Sequence, residues 1–322
     1  MRRAKLMSLL LAMLLLAGCA QTAMSEEVVY IDPVPLAEAA FDAEAKSISE
    51  SSATTITLLT PVASGTKTRK AAKATIDYSN TADGYVMVQY TAQTTKKLKV
   101  QVKGPATTYT YNLTAGEWAV FPLSDGNGNY QVAVFENVTG TKYAAVATAS
   151  FDVTLKDEFA PYLRPNQYVD YVAAVNTLAK AEELIGAETD TLKKVEKVYS
   201  FVVSHLTYDK EKAATVQSGY LPVLDKVLEA KKGICFDYAA LMAGMLRSEG
   251  VPCKLVVGYA GTAYHAWISV WSEETGWVDG AIYFDGTTWQ RMDPTFASSG
   301  KKSASIMKYI GDGKNYTTKY LY

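Results

Sequence analysis

The stretch KKGICFDYAALMAGMLRSEGVPC, residues 231–253, decides the fold. Tyr238, Leu241, Met242, Met245 and Leu246 recur at spacings of three and four, which is one face of a helix. Gly250 followed by Pro252 stops it. A helix over 235–248 is therefore expected, with Cys235 at its mouth and Gly233 two residues before. A cysteine that only fills a core could sit anywhere on the apolar face. At a helix start, unpaired backbone N–H groups carry partial positive charge. A thiol there loses its proton more readily than at its ordinary pKa of ~8.5. The same N–H groups suit an oxyanion on a carbonyl that the sulfur attacks. Gly233 offers no side chain to block an approaching substrate.

The second cysteine of the stretch, Cys253, is expected in the core because it opens the apolar run CKLVVGYA (253–260). A Cys235–Cys253 disulfide does not fit the geometry. The helix between them is ~20 Å long, and the five steps from Ser248 to Cys253 return at most ~17–18 Å. A disulfide needs Cα atoms within ~7 Å. A zinc site of Cys235, Cys253 and His265 lacks the paired short-range ligands such sites use, so no metal is expected.

Around this helix, periodicity predicts an α+β domain over 165–322. NQYVDYVAAVNTLAKAEELIG (166–186) reads as helix. TDTLKKVEKVYSFVVSHL (189–206) places Leu192, Val195, Val198, Tyr199 and Val202 on one face. LPVLDKVLEAKKG (221–233) reads as a short helix ended by Gly233. Strands follow at 253–260, at HAWISVW (265–271) and within 281–295.

The N-terminal half reads differently. KKLKVQVK (96–103), TYTYNL (108–113) and NYQVAVF (129–135) alternate at period two, with turn signals TADG, KGPA, TAGE and SDGNGN between strands. They predict an all-β domain over 71–156, an immunoglobulin-like sandwich in size. With no histidine or cysteine in it, this domain reads as a spacer or binding module. Residues 20–70 are small and polar and read as a flexible tether. The first segment, 1–19, is a basic MRRAK, a twelve-residue apolar run Leu6–Ala17, and LAGC. As a helix that run would span ~18 Å, short of a ~30 Å hydrocarbon core. LAGC resembles a bacterial lipobox. The resemblance implies a signal peptide, lipidation at Cys19, and a protein held on the extracytoplasmic side of the cell membrane. The formal net charge of −1 leaves no electrostatic footprint for nucleic acid.

A thiol nucleophile needs a base, and the base needs an orienter. The chain has two histidines. His205 lies near a helix end, where an imidazolium suits the dipole. His265 opens a strand, and Asp293 in RMDPT sits near a strand end, so neighbouring antiparallel strands would bring Asp293 beside His265. Taken together, GICFDYAALMAGMLRSEGVPCKLVVGYA, YHAWISVW and GTTWQRMDPT resemble the transglutaminase-like superfamily of papain-fold thiol enzymes. The resemblance covers residues 165–300. It implies Cys235 as nucleophile, His265 as general base and acid, and Asp293 as orienter, with no cofactor. LTYD (206–209) resembles a stretch found before the family's catalytic helix, which implies Tyr208 at the site edge. The segment ETGWVDGAIYFDGTTW (274–289) is longer than a tight hairpin between the His and Asp strands. The implied substrate is a protein or peptide, cell-wall-associated ones included. The thioester formed on Cys235 would be resolved by water, as in a peptidase, or by an amine, as in cross-linking. The alternative function is a non-catalytic binding or adhesion module that keeps the fold.

Overall fold

The computed structural model describes residues 29–31, 58–273, 276–279, 282–284, 289–291 and 316–322. The chain divides into two compact units, Glu26–Pro161 and Tyr162–Tyr322.

The first unit is all β among the described residues. Its strands are β1 (Val29–Ile31), β2 (Thr68–Lys70), β3 (Ala74–Asp77), β4 (Tyr85–Tyr90), β5 (Leu98–Lys103), β6 (Thr108–Leu113), β7 (Trp118–Pro122), β8 (Gly128–Thr139) and β9 (Lys142–Val153). They form a five-stranded sheet, β1-β9-β8-β5-β6, and a four-stranded sheet, β2-β3-β4-β7. The alternation in the sequence is the alternation of burial. In β6, Tyr109, Tyr111 and Leu113 point inward and Thr108, Thr110 and Asn112 outward. Aromatic rings fill the space between the sheets: Tyr111 meets Phe121 edge-on, with ring centroids 5.0 Å apart.

The stretch expected as tether takes part in this unit at its described ends. Val29–Ile31 pairs in parallel with Lys142–Ala144 of β9. Thr68–Lys70 pairs with β3. Before β2, Asp77 Oδ2 accepts from Gly65 N at 2.7 Å and Ser79 Oγ accepts from Lys67 N at 2.8 Å. β1 is the apolar run Val-Tyr-Ile set among polar residues, and β2, Thr-Arg-Lys, has no apolar residue to mark it, because an edge strand tethered by backbone and side-chain oxygens needs little apolar content.

The second unit is α+β. It contains α1 (Val175–Ile185), α2 (Thr191–His205), β10 (Thr207–Tyr208), α3 (Lys210–Thr215), α4 (Leu224–Ala230), β11 (Lys232–Gly233), α5 (Cys235–Ser248), β12 (Cys253–Ala260), β13 (Ala263–Ser272), β14 (Gly276–Asp279), β15 (Ile282–Phe284), β16 (Trp289–Arg291) and β17 (Tyr316–Leu321). A four-stranded antiparallel sheet, β14-β13-β12-β17, backs α5, which packs on β12 and β13 with α1, α2 and α4 around it. So surrounded, α5 is buried on nearly every side, from Cys235 through Ser248.

Two helix expectations change. Residues 166–174 are not helical. Asn166 Oδ1 accepts from Tyr168 N at 2.9 Å and Val169 N at 3.2 Å, an Asx turn that competes with helix after Pro165. The helix expected over 221–233 ends at Ala230, where Lys231 takes a left-handed φ of 52°. Lys232–Gly233 then leaves as β11, paired in parallel with β10. The described strands paired with the histidine strand β13 are β12 and β14. Trp289–Arg291, the strand just before Asp293, pairs instead with Ile282–Phe284 in a separate hairpin. The expected placement of Asp293 beside His265 lies outside the described residues.

Candidate functional site

Cys235 is the first residue of α5, and its helix keeps half of a capping box. Ile234 at the N-cap has no acceptor in its side chain. The third helical residue, Asp237, reaches back instead, and its Oδ2 accepts from Ile234 N at 2.9 Å. This gives Gly233 another purpose than the one inferred from sequence. A Cβ there would meet the Asp237 Cβ at 2.6 Å, so glycine lets the chain pass over the capping carboxylate.

His265 lies on β13 opposite Gly258 of β12. Side chains two apart share a strand face, and Trp267 stacks beside the imidazole with ring centroids 6.2 Å apart. Tyr316 of β17 crosses Trp267 edge-on at 5.1 Å and lies 6.4 Å from the imidazole. The histidine is thus set between aromatic rings and is 4% exposed, against 6% for Cys235.

Both residues line one cavity of ≈ 210 Å³. Its walls are largely aromatic, from Tyr168, Tyr220, Phe236 and Tyr264, with the loop Val216–Tyr220 along one side. Burial foremost, with Cys235 among smaller contributors, pushes the Tyr264 phenol well above its ordinary range. Burial does the same to Tyr168.

Three further residues converge on the helix mouth. Asp237 is wholly buried. Its Oδ2 accepts from Lys212 Nζ at 2.7 Å and its Oδ1 accepts from Tyr220 O–H at 2.5 Å. Lys212 Nζ also donates to the Tyr220 oxygen at 2.6 Å. Burial and the Asp237 carboxylate hold the Tyr220 phenol far above its ordinary range. Sequence reasoning missed this trio. Lys212 and Asp237 stand 25 residues apart, and no periodicity links a lysine in a six-residue helix to an acid two residues after the cysteine.

The remaining expected site residues fall as follows. Tyr208 sits on β10 in register with Gly233, half-buried, and is not among the described residues lining the cavity; Tyr220 stands there instead. His205 ends α2, with Nε2 2.8 Å from the Leu228 carbonyl oxygen and its ring stacked on Phe201. Cys253 is buried and not in a disulfide. Burial pushes its thiol up to about 12, with Arg247 opposing, which makes it an inert core residue. Asp293 and Cys19 lie outside the described residues.

Residues 178–294 match the family model of the transglutaminase-like superfamily. A stretch of 68 residues is 32% identical to protein-glutamine gamma-glutamyltransferase of Pseudomonas aeruginosa, covering 17% of this chain and 10% of that protein. A longer stretch, 148 residues, is 27% identical to an uncharacterised protein of Mycobacterium bovis, covering 41% of this chain and 43% of that one. The chain thus spans less than half the length of these curated relatives. Among solved structures, a Cytophaga hutchinsonii chain provisionally assigned as a cysteine protease aligns over 79% of this chain and 78% of its own, with 12% identity and a TM-score of 0.37. Red sea bream transglutaminase aligns over 66% of this chain and 48% of its own, with 15% identity and a TM-score of 0.28. The segment 178–294, which contains both the helix-borne Cys235 and the strand-borne His265, thus matches the transglutaminase-like superfamily.

Proposed function

We propose that this chain is a thiol acyl-transfer enzyme acting on protein or peptide substrates at the cell surface. The observation that carries the reading is that Cys235, at the first residue of α5, and His265, on β13, line the same cavity. In the reaction, His265 takes the thiol proton and the thiolate attacks a carboxamide or peptide carbonyl carbon. The oxyanion of the tetrahedral intermediate is met by N–H groups of the first turn of α5. Collapse breaks the C–N bond, and the imidazolium gives its proton to the departing amine. The product is a thioester on Cys235. Water or a second amine then attacks it, with His265 taking that nucleophile's proton and returning it to the sulfur. Asp293 is assigned to orient the imidazole and stabilise its charged form.

We assign the rest of the chain to presentation. Cys19 carries the lipid anchor, and the N-terminal two-sheet unit, read as an immunoglobulin-like sandwich, spaces the enzyme from the membrane. A thiol-specific acyl probe and a turnover assay with peptide amides and amine donors test the proposal. Labelling of the parent is expected on Cys235 well below the ordinary thiol pKa of ~8.5. Cys235→Ala is expected to lose both labelling and turnover, and His265→Ala to lose turnover and label only at higher pH. A parent that labels with a midpoint near ~8.5 and turns over no amide returns the domain to a binding module.

A further inference from the structure

Asp237 sets an electrostatic problem at the mouth of α5. Its carboxylate lies two residues past Cys235, wholly buried. A buried negative charge held at the helix start offsets the positive first-turn N–H groups and so disfavours a thiolate there. The acid is nevertheless structurally engaged: it accepts the Ile234 N–H at 2.9 Å and holds Tyr220, a cavity wall, by its phenol at 2.5 Å. Opposite it stands one ammonium group, Lys212 Nζ on α3, 2.7 Å from Oδ2. The other titratable groups facing the thiol are His265 and Tyr264 from β13, Tyr168, Tyr220 and Tyr322. On β11, Lys232 is turned to Asp209 at 3.3 Å. The Tyr168, Tyr220 and Tyr264 phenols are pushed up by burial and stay neutral near pH 7. The charged pair at the helix start is Asp237 with Lys212.

We propose that Lys212 is a positioning residue which acts through Asp237: by neutralising that carboxylate it leaves the positive helix mouth available to the Cys235 thiolate. The inference rests on the reading of Cys235 as nucleophile. It explains why a buried acid is tolerated beside a nucleophile. The carboxylate fixes the helix start and the cavity wall, and the lysine cancels its effect on the sulfur.

The test is the pH dependence of Cys235 alkylation by iodoacetamide in the full chain, read on the Cys235 peptide by mass spectrometry. Lys212→Met is expected to raise the midpoint by about one pH unit or more, as for a lost neighbouring charge. Asp237→Asn is expected to lower it, and the double variant to return it toward the parent. Lys212→Arg keeps the charge and is expected to keep the midpoint. The acidic limb of kcat/KM for a peptide amide is expected to move with the alkylation midpoint. A merely structural role would change melting temperature or amplitude without this sign pattern. A low parent midpoint that Lys212→Met leaves unmoved overturns the inference. A parent midpoint near ~8.5 overturns the nucleophile reading itself, a separate outcome. Should Lys212→Met fail to fold by circular dichroism, Asp237→Asn carries the test alone, and an unmoved or raised midpoint there overturns the inference.

Discussion

Glu136 of β8 keeps a carboxylate nearly out of solvent because donors reach it from both sheets. Lys96 Nζ donates to Oε1 at 2.8 Å, Lys73 Nζ to Oε2 at 3.0 Å, and the Tyr90 hydroxyl of β4 to Oε2. Led by the Lys96 hydrogen bond, these hold its pKa at about 2, below an ordinary 4.5, against the opposing effect of burial. The folded pKa is depressed, so this stabilisation is present above pH 4.5 and is lost as pH falls from there toward about 2. Glu136→Gln is expected to cost ~1–3 kcal/mol at pH 7. It is also expected to flatten the acid limb of urea-determined stability between those pH values. An acid limb as steep as the parent's would show that other carboxylates carry it. At the same scale, Cys235 and His265 were legible in the sequence because three cysteines and two histidines leave few choices. The Lys212–Asp237–Tyr220 trio was not legible. Its members meet through tertiary folding alone, and each taken singly reads as a surface lysine, a helix-start acid or a loop tyrosine.

Elements were legible where burial followed one period. In α2 the five residues predicted on one face, Leu192, Val195, Val198, Tyr199 and Val202, are the five buried ones. Periodicity misled over 166–174, where a side-chain turn at Asn166 outcompetes helix, and it could not report which strands pair. Pairing depends on close backbone approach, and Gly258 is where that approach is tightest. It lies opposite His265 on one side and Thr318 on the other, at a register shift between Val257 and Gly258. A Cβ there would meet the Thr317 carbonyl oxygen at 2.0 Å and the Trp267 ring at 2.9 Å. A backbone oxygen cannot swing away as a side chain can, so β17 would have to move. Gly258→Ala is expected to destabilise the chain by ~1–3 kcal/mol, as overpacking does. Faster amide hydrogen exchange is expected in Tyr316–Leu321, the strand that brings Tyr316 against Trp267 beside His265. Unchanged exchange in β17 would mean that the pairing tolerates the methyl group.

At the scale of the whole chain, the proposed membrane attachment raises the question of what would supply it. The formal net charge is −1, so attraction to an anionic surface contributes little. No helix among the described residues is long and apolar enough to cross a bilayer. The run Leu6–Ala17 would reach only ~18 Å as a helix, against a core of ~30 Å. The proposal places attachment on acyl chains at Cys19, the cysteine of LAGC. Each buried CH₂ contributes ~0.8 kcal/mol, so one chain binds only marginally and two or more bind stably. Removing the acylated residue removes the chains together. Cys19→Ala is accordingly expected to shift the protein from the membrane pellet to the soluble fraction. Its Cys235 labelling and turnover are expected to be intact, because the substitution leaves Cys235 and His265 in place. Fractionation with detergent and high-salt washes reads the outcome. A Cys19→Ala protein that stays in the pellet through high salt would put the anchor in the apolar run itself, retained and uncleaved, and would overturn the lipid assignment. Release of the variant together with loss of turnover would instead tie the enzyme's activity to its place on the membrane.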